Sequence, residues 1–263
     1  MREPCLKNPY TYRFECDVPY YQCDLNGNMK LSYLLKIMER AAGDHLTHLG
    51  LPYERLYSEG IVFLLAKLGV RIHRCPTAAD QLVVETSPQA VKGAQFHRQI
   101  RVFGVDGSPL AEIHSVWLMV DPVERKILRP DRFAHELPTI PEEEQMERFG
   151  ADRIRLAGEI IARDSFTVRY SDLDVNRHLN NTVYGDICTD LLPFDELCRR
   201  GVGEFLINYR HEALIGETIS LTLRQDRESD RYYILGEREE GGCFEAMVRL
   251  GSEPPAASAG CSM

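Results

Sequence analysis

Tyr170-Ser171-Asp172-Leu173-Asp174-Val175-Asn176-Arg177-His178-Leu179-Asn180-Asn181 decides the reading of this 263-residue chain. Asp174, Asn176 and His178 stand two residues apart. In an extended segment, side chains at i, i+2 and i+4 leave the same face. An acid, an amide and an imidazole would then point together, with Val175, Arg177 and Leu179 turned away. Asn180 and Asn181 offer N-caps to a following helix. Val183, Ile187 and Leu191 give that helix an apolar stripe. A helix start carries free N–H groups and the positive end of the dipole. The stretch therefore predicts a general acid or base beside an oxyanion site at Asn180 and Asn181.

The elements around it occur twice. After a polar lead-in over residues 1–10, aromatic and polar residues alternate from Tyr10 to Phe14 and predict a strand. Asp24-Leu25-Asn26-Gly27-Asn28 is rich in residues that tolerate positive φ and reads as a turn. Leu31, Leu34, Leu35, Met38, Ala41, Ala42 and His45 follow helical spacing up to Gly50 and Pro52. Strand-like runs follow at 62–73, 81–89, 95–105 and 110–121, the last two joined by the hairpin signal Asp106-Gly107. Residues 121–160 are charged and broken by prolines, with a short helix expected over 142–148. Then comes a strand over 164–170, the opening stretch with its helix, and strands at 205–211, 218–224, 232–239 and 244–250.

Aligning Asp24 with Asp172 without a gap pairs Leu25 with Leu173, Asn28 with Asn176 and Leu31 with Leu179. Further on, Pro76-x-x-x-Asp80 faces Ala213-x-x-x-Glu217. An internal duplication is the simplest account. On that register Asn26 stands opposite Asp174, and Lys30 opposite His178. The first copy would lack both acid and imidazole, and any chemistry would belong to the second. Each helix would bury one stripe against the concave face of an antiparallel sheet. The expected fold is α+β, a tandem double hotdog, each half an antiparallel sheet wrapped around a long central helix. The expected boundaries are an N-terminal, non-catalytic hotdog over 1–125, a crossover over 126–160, a catalytic hotdog over 161–251, and a disordered tail over 252–263.

Composition narrows the function. Apolar residues make up 44% and charged residues 27%, an ordinary globular balance. A net charge of −9 argues against general nucleic-acid binding. No apolar run reaches the ~18 residues that span a bilayer, and the first residues lack a signal-peptide core. These observations lead to an expectation of a cytoplasmic protein without a membrane partner. The eight cysteines contain no Cys-x-x-Cys pair and read as small buried hydrophobes rather than disulfides. His45-x-x-His48 with Asp44 lacks a further ligand on the same helix, so neither a metal nor a cofactor is expected.

Asp172-Leu173-Asp174-Val175-Asn176-Arg177-His178-Leu179-Asn180-Asn181-x-x-Tyr184 resembles the signature of the acyl-ACP thioesterases, the plant plastid enzymes and their bacterial relatives. Asp24 to Ser32, Arg74-Cys75-Pro76, the Trp117 strand and Tyr209-Arg210-His211-Glu212 add to the resemblance, which extends over about residues 8–250. It implies hydrolysis of fatty acyl-ACP to free fatty acid and holo-ACP, in fatty acid biosynthesis. The first half would line the acyl pocket. The family's catalytic Asp, Asn and His fall on Asp174, Asn176 and His178, and a further Glu on Glu212. Plant relatives carry a Cys after that Glu. Here Ala213 follows, which removes a Cys nucleophile at that position and favours direct attack by water. Whether Glu212, His178 or Asp174 is the general base stays open.

The carrier is acidic, so docking on an acidic chain needs a local basic face. Arg71, Arg74, Lys92, Arg98, Arg101, Arg169, Arg177, Arg199, Arg200 and Arg210 are the candidates. The chain would work as a monomer or homodimer. The alternatives are an acyl-CoA thioesterase, a hotdog enzyme of other chemistry such as a 3-hydroxyacyl dehydratase, and a non-catalytic acyl-thioester binder.

Overall fold

The computed structural model describes residues 5–252. The first half comprises strands β1 (Cys5–Asn8), β2 (Thr11–Asp17), β3 (Val62–Ile72), β4 (Gln81–Pro88), β5 (Gln95–Gly104) and β6 (Pro109–Val120). The second comprises β7 (Glu159–Thr167), β8 (Val202–Tyr209), β9 (Thr218–Asp226), β10 (Arg231–Arg238) and β11 (Gly241–Leu250). They form one antiparallel sheet in the order β1-β2-β4-β5-β6-β3-β8-β11-β10-β9-β7. Read outward from the β3–β8 seam, the two halves repeat each other strand for strand, apart from the extra β1. The architecture is the tandem double hotdog. The polar lead-in of the sequence reading contains β1, which pairs with β2. From residue 253 the expected disordered tail lies outside the described residues.

Helix α1 (Leu31–His48) holds the stripe that its spacing predicts. Leu34, Leu35, Met38 and Ala41 are buried in one core with Phe14, Val84, Ile100 and Ile113 from the sheet. Each large side chain buried there contributes about 1.5–3 kcal/mol. The helix ends in a Schellman motif. Gly50 lies at φ +76, its N–H donates to Thr47 O, and the Leu51 N–H donates to Leu46 O.

The second half departs from the expected long central helix. Its helix α3 spans only Val183–Asp190, and α4 (Phe194–Arg200) follows as a separate piece. Pro193 stands between them. It lacks an N–H and its ring clashes with the preceding turn, so the helix cannot run through. A short α2 (Tyr53–Ser58) occupies the matching place in the first half.

The two halves join where β3 pairs with β8, with Gly69 opposite Leu206 and Arg71 opposite Glu204. The crossover lies on the outer face of the first-half sheet and is more than a tether. The Met146 N–H donates to Gln99 Oε1 at 2.9 Å, and His114 Nδ1 lies 2.7 Å from Phe149 O. The helix expected over 142–148 is a single 3-10 turn, Glu142–Glu144, because Pro141 precedes it and Gln145 returns to extended backbone. At the seam the crossover approaches β3 backbone to backbone. Gly150 has φ +69, and a Cβ there would lie 2.8 Å from Gly69 Cα. Gly150→Ala therefore meets both a left-handed backbone and a close contact. We expect a loss of about 1–3 kcal/mol, read as a Tm drop of several degrees in calorimetry; an unchanged Tm would refute this role.

Candidate active site

The opening stretch is not extended. Tyr170–Asp172 forms a 3-10 turn, and the chain then reverses between Leu173 and Leu179, which face each other in an isolated bridge. Asp174 organises the reversal. Its Oδ1 accepts the N–H groups of Asn176 at 2.8 Å and of His178 at 3.1 Å. Asn176 Nδ2 donates to Asp174 Oδ2 at 3.3 Å, and Arg177 adopts φ +66 at the apex. The two-residue spacing thus reflects an Asx-type turn, in which a short carboxylate serves backbone N–H groups nearby. It does not reflect the alternation of a pleated strand.

The same turn exists in the first half. Asp24 Oδ1 accepts the N–H groups of Asn26 and Asn28, both at 2.9 Å, and Gly27 lies at φ +78. The structural register therefore pairs Asp24 with Asp174, Asn26 with Asn176 and Asn28 with His178. This corrects the sequence register by two residues. The first copy keeps the acid and the amide and lacks only the imidazole. Asp172 matches Asp24 by letter, but its carboxylate accepts the Arg169 N–H instead, at 2.8 Å. The later expected pairing is met. Met29 N–H donates to Pro76 O at 2.7 Å, and Leu179 N–H to Ala213 O at 2.8 Å. In that register Glu212 stands where the first copy has Cys75.

A cavity of about 820 Å³ opens beside the second-half turn. Most of its apolar wall comes from the first half, with Leu46, Leu51, Phe63, Phe96 and Trp117 among the residues, and Leu173 and Val175 of the second half complete it. Its polar end holds Asp174, Asn176, Asn180 and Asn181, and also Glu39 from α1. Tyr53 of α2 donates its hydroxyl to Asn176 Oδ1 at 2.8 Å, fixing that amide. His178 and Glu212 do not line this cavity. They meet beside the turn, His178 Nε2 lying 3.3 Å from Glu212 Oε2, and Arg125 from the first half also binds Glu212. Burial pushes the His178 pKa down, with Asp174 partly opposing it, so the imidazole is neutral at neutral pH. The Asn180 backbone N–H is not free to hold an oxyanion. It donates to Asp172 O at 2.9 Å, and the Asn180 Oδ1 accepts the Thr182 N–H at 2.8 Å. Of the two asparagines, Asn181 is the one whose side chain reaches Glu39.

Glu39 is the functional candidate that sequence reasoning missed. Burial, and next the charge of Asp174, push its pKa up to about 7, while the Asn181 amide hydrogen-bonds the carboxylate. Two carboxyl groups close enough to interact across a partly dry cavity are a familiar basis for dividing acid and base roles. Only its place at the edge of an apolar helix stripe could have marked it: Glu39 is half-buried directly after the buried Ile37 and Met38.

The acyl-ACP thioesterase N-terminal domain profile matches residues 9–136, and the C-terminal domain profile matches residues 158–248. This chain belongs to the acyl-ACP thioesterase family. Among curated relatives, an acyl-[acyl-carrier-protein] hydrolase, FATB3, of Cuphea viscosissima is 22% identical, across 87% of this chain and 59% of that protein. A palmitoyl-acyl carrier protein thioesterase of Cuphea hookeriana is 23% identical, across 93% of this chain and 60% of its own length. The chain thus spans between about half and three-fifths of the curated relatives it matches. An acyl-ACP thioesterase structure from Bacteroides thetaiotaomicron superposes with a TM-score of 0.77 at 20% identity, covering 91% of this chain and 97% of that one. The 12:0-ACP thioesterase of Umbellularia californica gives 0.77 at 16% identity, covering 91% and 96%. These likenesses establish the fold.

Several basic residues considered for carrier docking in this thioesterase family member are engaged elsewhere. Arg74 holds Asp80, Arg200 holds Asp230, Arg210 holds Glu245, and Arg71 stacks on Phe149 while pairing with Glu147. Arg98 is interior and cannot meet a partner's surface. Seven cysteines fall among the described residues, and all are free. Only Cys16, Cys188 and Cys243 are buried, fewer than expected.

The raised Glu39 pKa sets a stability window. The folded state holds the proton more tightly than the unfolded chain. Raising pH from about 4.5 to about 7 therefore favours unfolding. Glu39→Gln removes this penalty. The variant's Tm should exceed that of the wild type above about pH 7 and converge with it below about 4.5. A difference independent of pH would refute the assignment.

Proposed function

We propose that this chain hydrolyses the thioester of fatty acyl-ACP, releasing fatty acid and holo-ACP, by direct attack of water. The observation that carries the reading is the cavity itself: a pocket walled largely by apolar side chains of one half also holds Asp174, Asn176 and Asn181 of the other. Asp174 is the candidate base that lines the cavity, so we assign it the water. It takes one proton as the water oxygen bonds to the carbonyl carbon. Asn181, and Glu39 when protonated, donate hydrogen bonds to the developing oxyanion. The C–S bond then breaks, and the proton passes to the sulfur. Asn176, held by Tyr53, positions the carbonyl or the water. His178, neutral and backed by Glu212, stabilises the charge changes at Asp174 from beside the turn.

The turn's structural work is duplicated at Asp24, which supplies an internal control. Asp174→Asn keeps an oxygen acceptor for the two N–H groups but loses the base. It should lower kcat/KM by about 10²–10⁴. Asp24→Asn should cost similar stability and leave kcat/KM within a few-fold. Equal kinetic effects of the two variants would remove Asp174 from the chemistry. Free-thiol release from acyl-ACP and acyl-CoA separates hydrolysis from dehydratase chemistry and from mere binding.

We place the carrier against the turn that bears the site. Tyr170 and Val175 are strongly exposed there, and Arg169 and Arg177 flank them. An acidic carrier would meet these cations in a screened medium. Raising salt should weaken hydrolysis of acyl-ACP, while hydrolysis of a small acyl thioester should change little. Equal salt responses would count against an electrostatic dock.

A further inference from the structure

Arg98 sits in the wall of the acyl cavity, only 5% exposed. Along β5, residues 98, 100 and 102 face the core that contains α1, and residues 97, 99 and 101 face the crossover. The guanidinium accordingly points towards α1. Its Nη1 donates to His45 Nδ1 at 3.0 Å and to Thr86 Oγ1 at 3.1 Å. Because arginine only donates, His45 Nδ1 must be the acceptor, and the His45 proton sits on Nε2. That buried Nε2 has no partner among the described residues. His45 therefore brings Arg98 an acceptor but no negative charge.

Among the described residues no carboxylate pairs with Arg98, and both of its side-chain bonds leave from Nη1. The acids on the same cavity wall are occupied or distant. Asp44 turns to Arg40 at 3.2 Å, Asp174 holds its own turn, and Glu39 bonds Asn181. Burial alone moves the Arg98 pKa, down to about 10, which leaves the group charged. An uncompensated buried cation is costly, and a hydrocarbon chain packed against it would do nothing to offset that cost. The Nε and Nη2 donors form the planar fork that matches a carboxylate. Six residues of helix, about 9 Å of rise, separate Glu39 at the reacting end from His45 beside Arg98. The cation thus lies well along the pocket from the thioester.

We propose that Arg98 makes this pocket selective for acyl chains that carry an oxygen acceptor remote from the thioester, a terminal carboxylate best, so that ω-carboxyacyl thioesters are better substrates than methyl-ended chains of the same length. The proposal rests on the thioesterase reading, and its specificity element is this one guanidinium. A terminal hydroxyl would accept one hydrogen bond without the charge and should rank between the two.

The test is a length series of acyl thioesters, each length made with a methyl, a hydroxymethyl or a carboxylate end. At the best length the wild type should show kcat/KM about ten- to a hundredfold higher for the carboxylate end than for the methyl end. Arg98→Met should reverse the order, and Arg98→Lys should retain part of the preference. A wild type that prefers methyl ends at every length overturns the proposal, as does an Arg98→Met ratio within threefold of the wild type. If neither variant folds, the wild-type Tm decides. Long-chain dicarboxylic acids should stabilise the chain more than monocarboxylic acids of equal length, and equal or smaller shifts overturn the inference. Failure to release thiol from any thioester would sink the hydrolase reading, and the same Tm comparison would still decide for or against the Arg98 site.

Discussion

The pairing of β3 with β8 is the constraint on which the rest depends. Each half alone would end in an unpaired strand there, a row of open N–H and C=O groups. Pairing Lys67 through Arg71 with Asn208 through Glu204 satisfies both edges and makes one sheet of the two halves. It also sets the halves in a fixed antiparallel relation. As a result α1 of the first half faces the turn of the second, and Glu39 comes within reach of Asn181. The cavity has most of its apolar wall from one copy and a polar end largely from the other. Neither copy holds that site by itself.

The repeated turn separates scaffold from chemistry. At Asp24 and at Asp174 a carboxylate accepts two backbone N–H groups and lets the chain reverse. That job is structural and is kept in both copies. What differs is around it. Asn28 stands where the second copy has His178, and Cys75 where it has Glu212. Asn26 reaches Cys198 O of α4, while Asn176 takes the Tyr53 hydroxyl of α2. The same backbone device thus has an imidazole and a second carboxylate beside it in the second copy only.

Polar groups inside the pocket divide by how they are satisfied. Asp174 gives Oδ1 to two N–H groups of its own turn and keeps acceptor capacity on Oδ2, which takes only the Asn176 amide at 3.3 Å. Glu39 lies among apolar neighbours with one amide donor, so its proton is held to a higher pH. Arg98 has neutral acceptors and, among the described residues, no counter-charge. A pocket built only to hold hydrocarbon would have no use for either group, and burying both is expensive. Glu39 stands beside the second-half turn and Arg98 beside His45, about two turns further along α1, so the two groups sit apart in the cavity wall.

The order of elements was legible from residues alone. The α1 stripe, the four-strand meander and its repeat are periodic signals, and burial of one face enforces them. The candidate site could be read as far as Asp174, Asn176 and His178, because those residue types recur in a fixed spacing. The reason for that spacing could not be read. A carboxylate serving the backbone and a carboxylate alternating along a strand have the same letters, and the duplicated register slipped by two residues for that reason. The length of the second helix was overread because Pro193 interrupts an apolar stripe that continues past it. Glu39, Tyr53 and Arg125 stayed hidden, and Arg98 was legible only as a surface cation, for a different reason. Each belongs to the first half by sequence, and meets its partners only when the β3–β8 seam folds one copy against the other or when α1 packs on the sheet. Local pattern therefore determined the fold and the turn, and long-range packing alone decided which buried charges face the cavity.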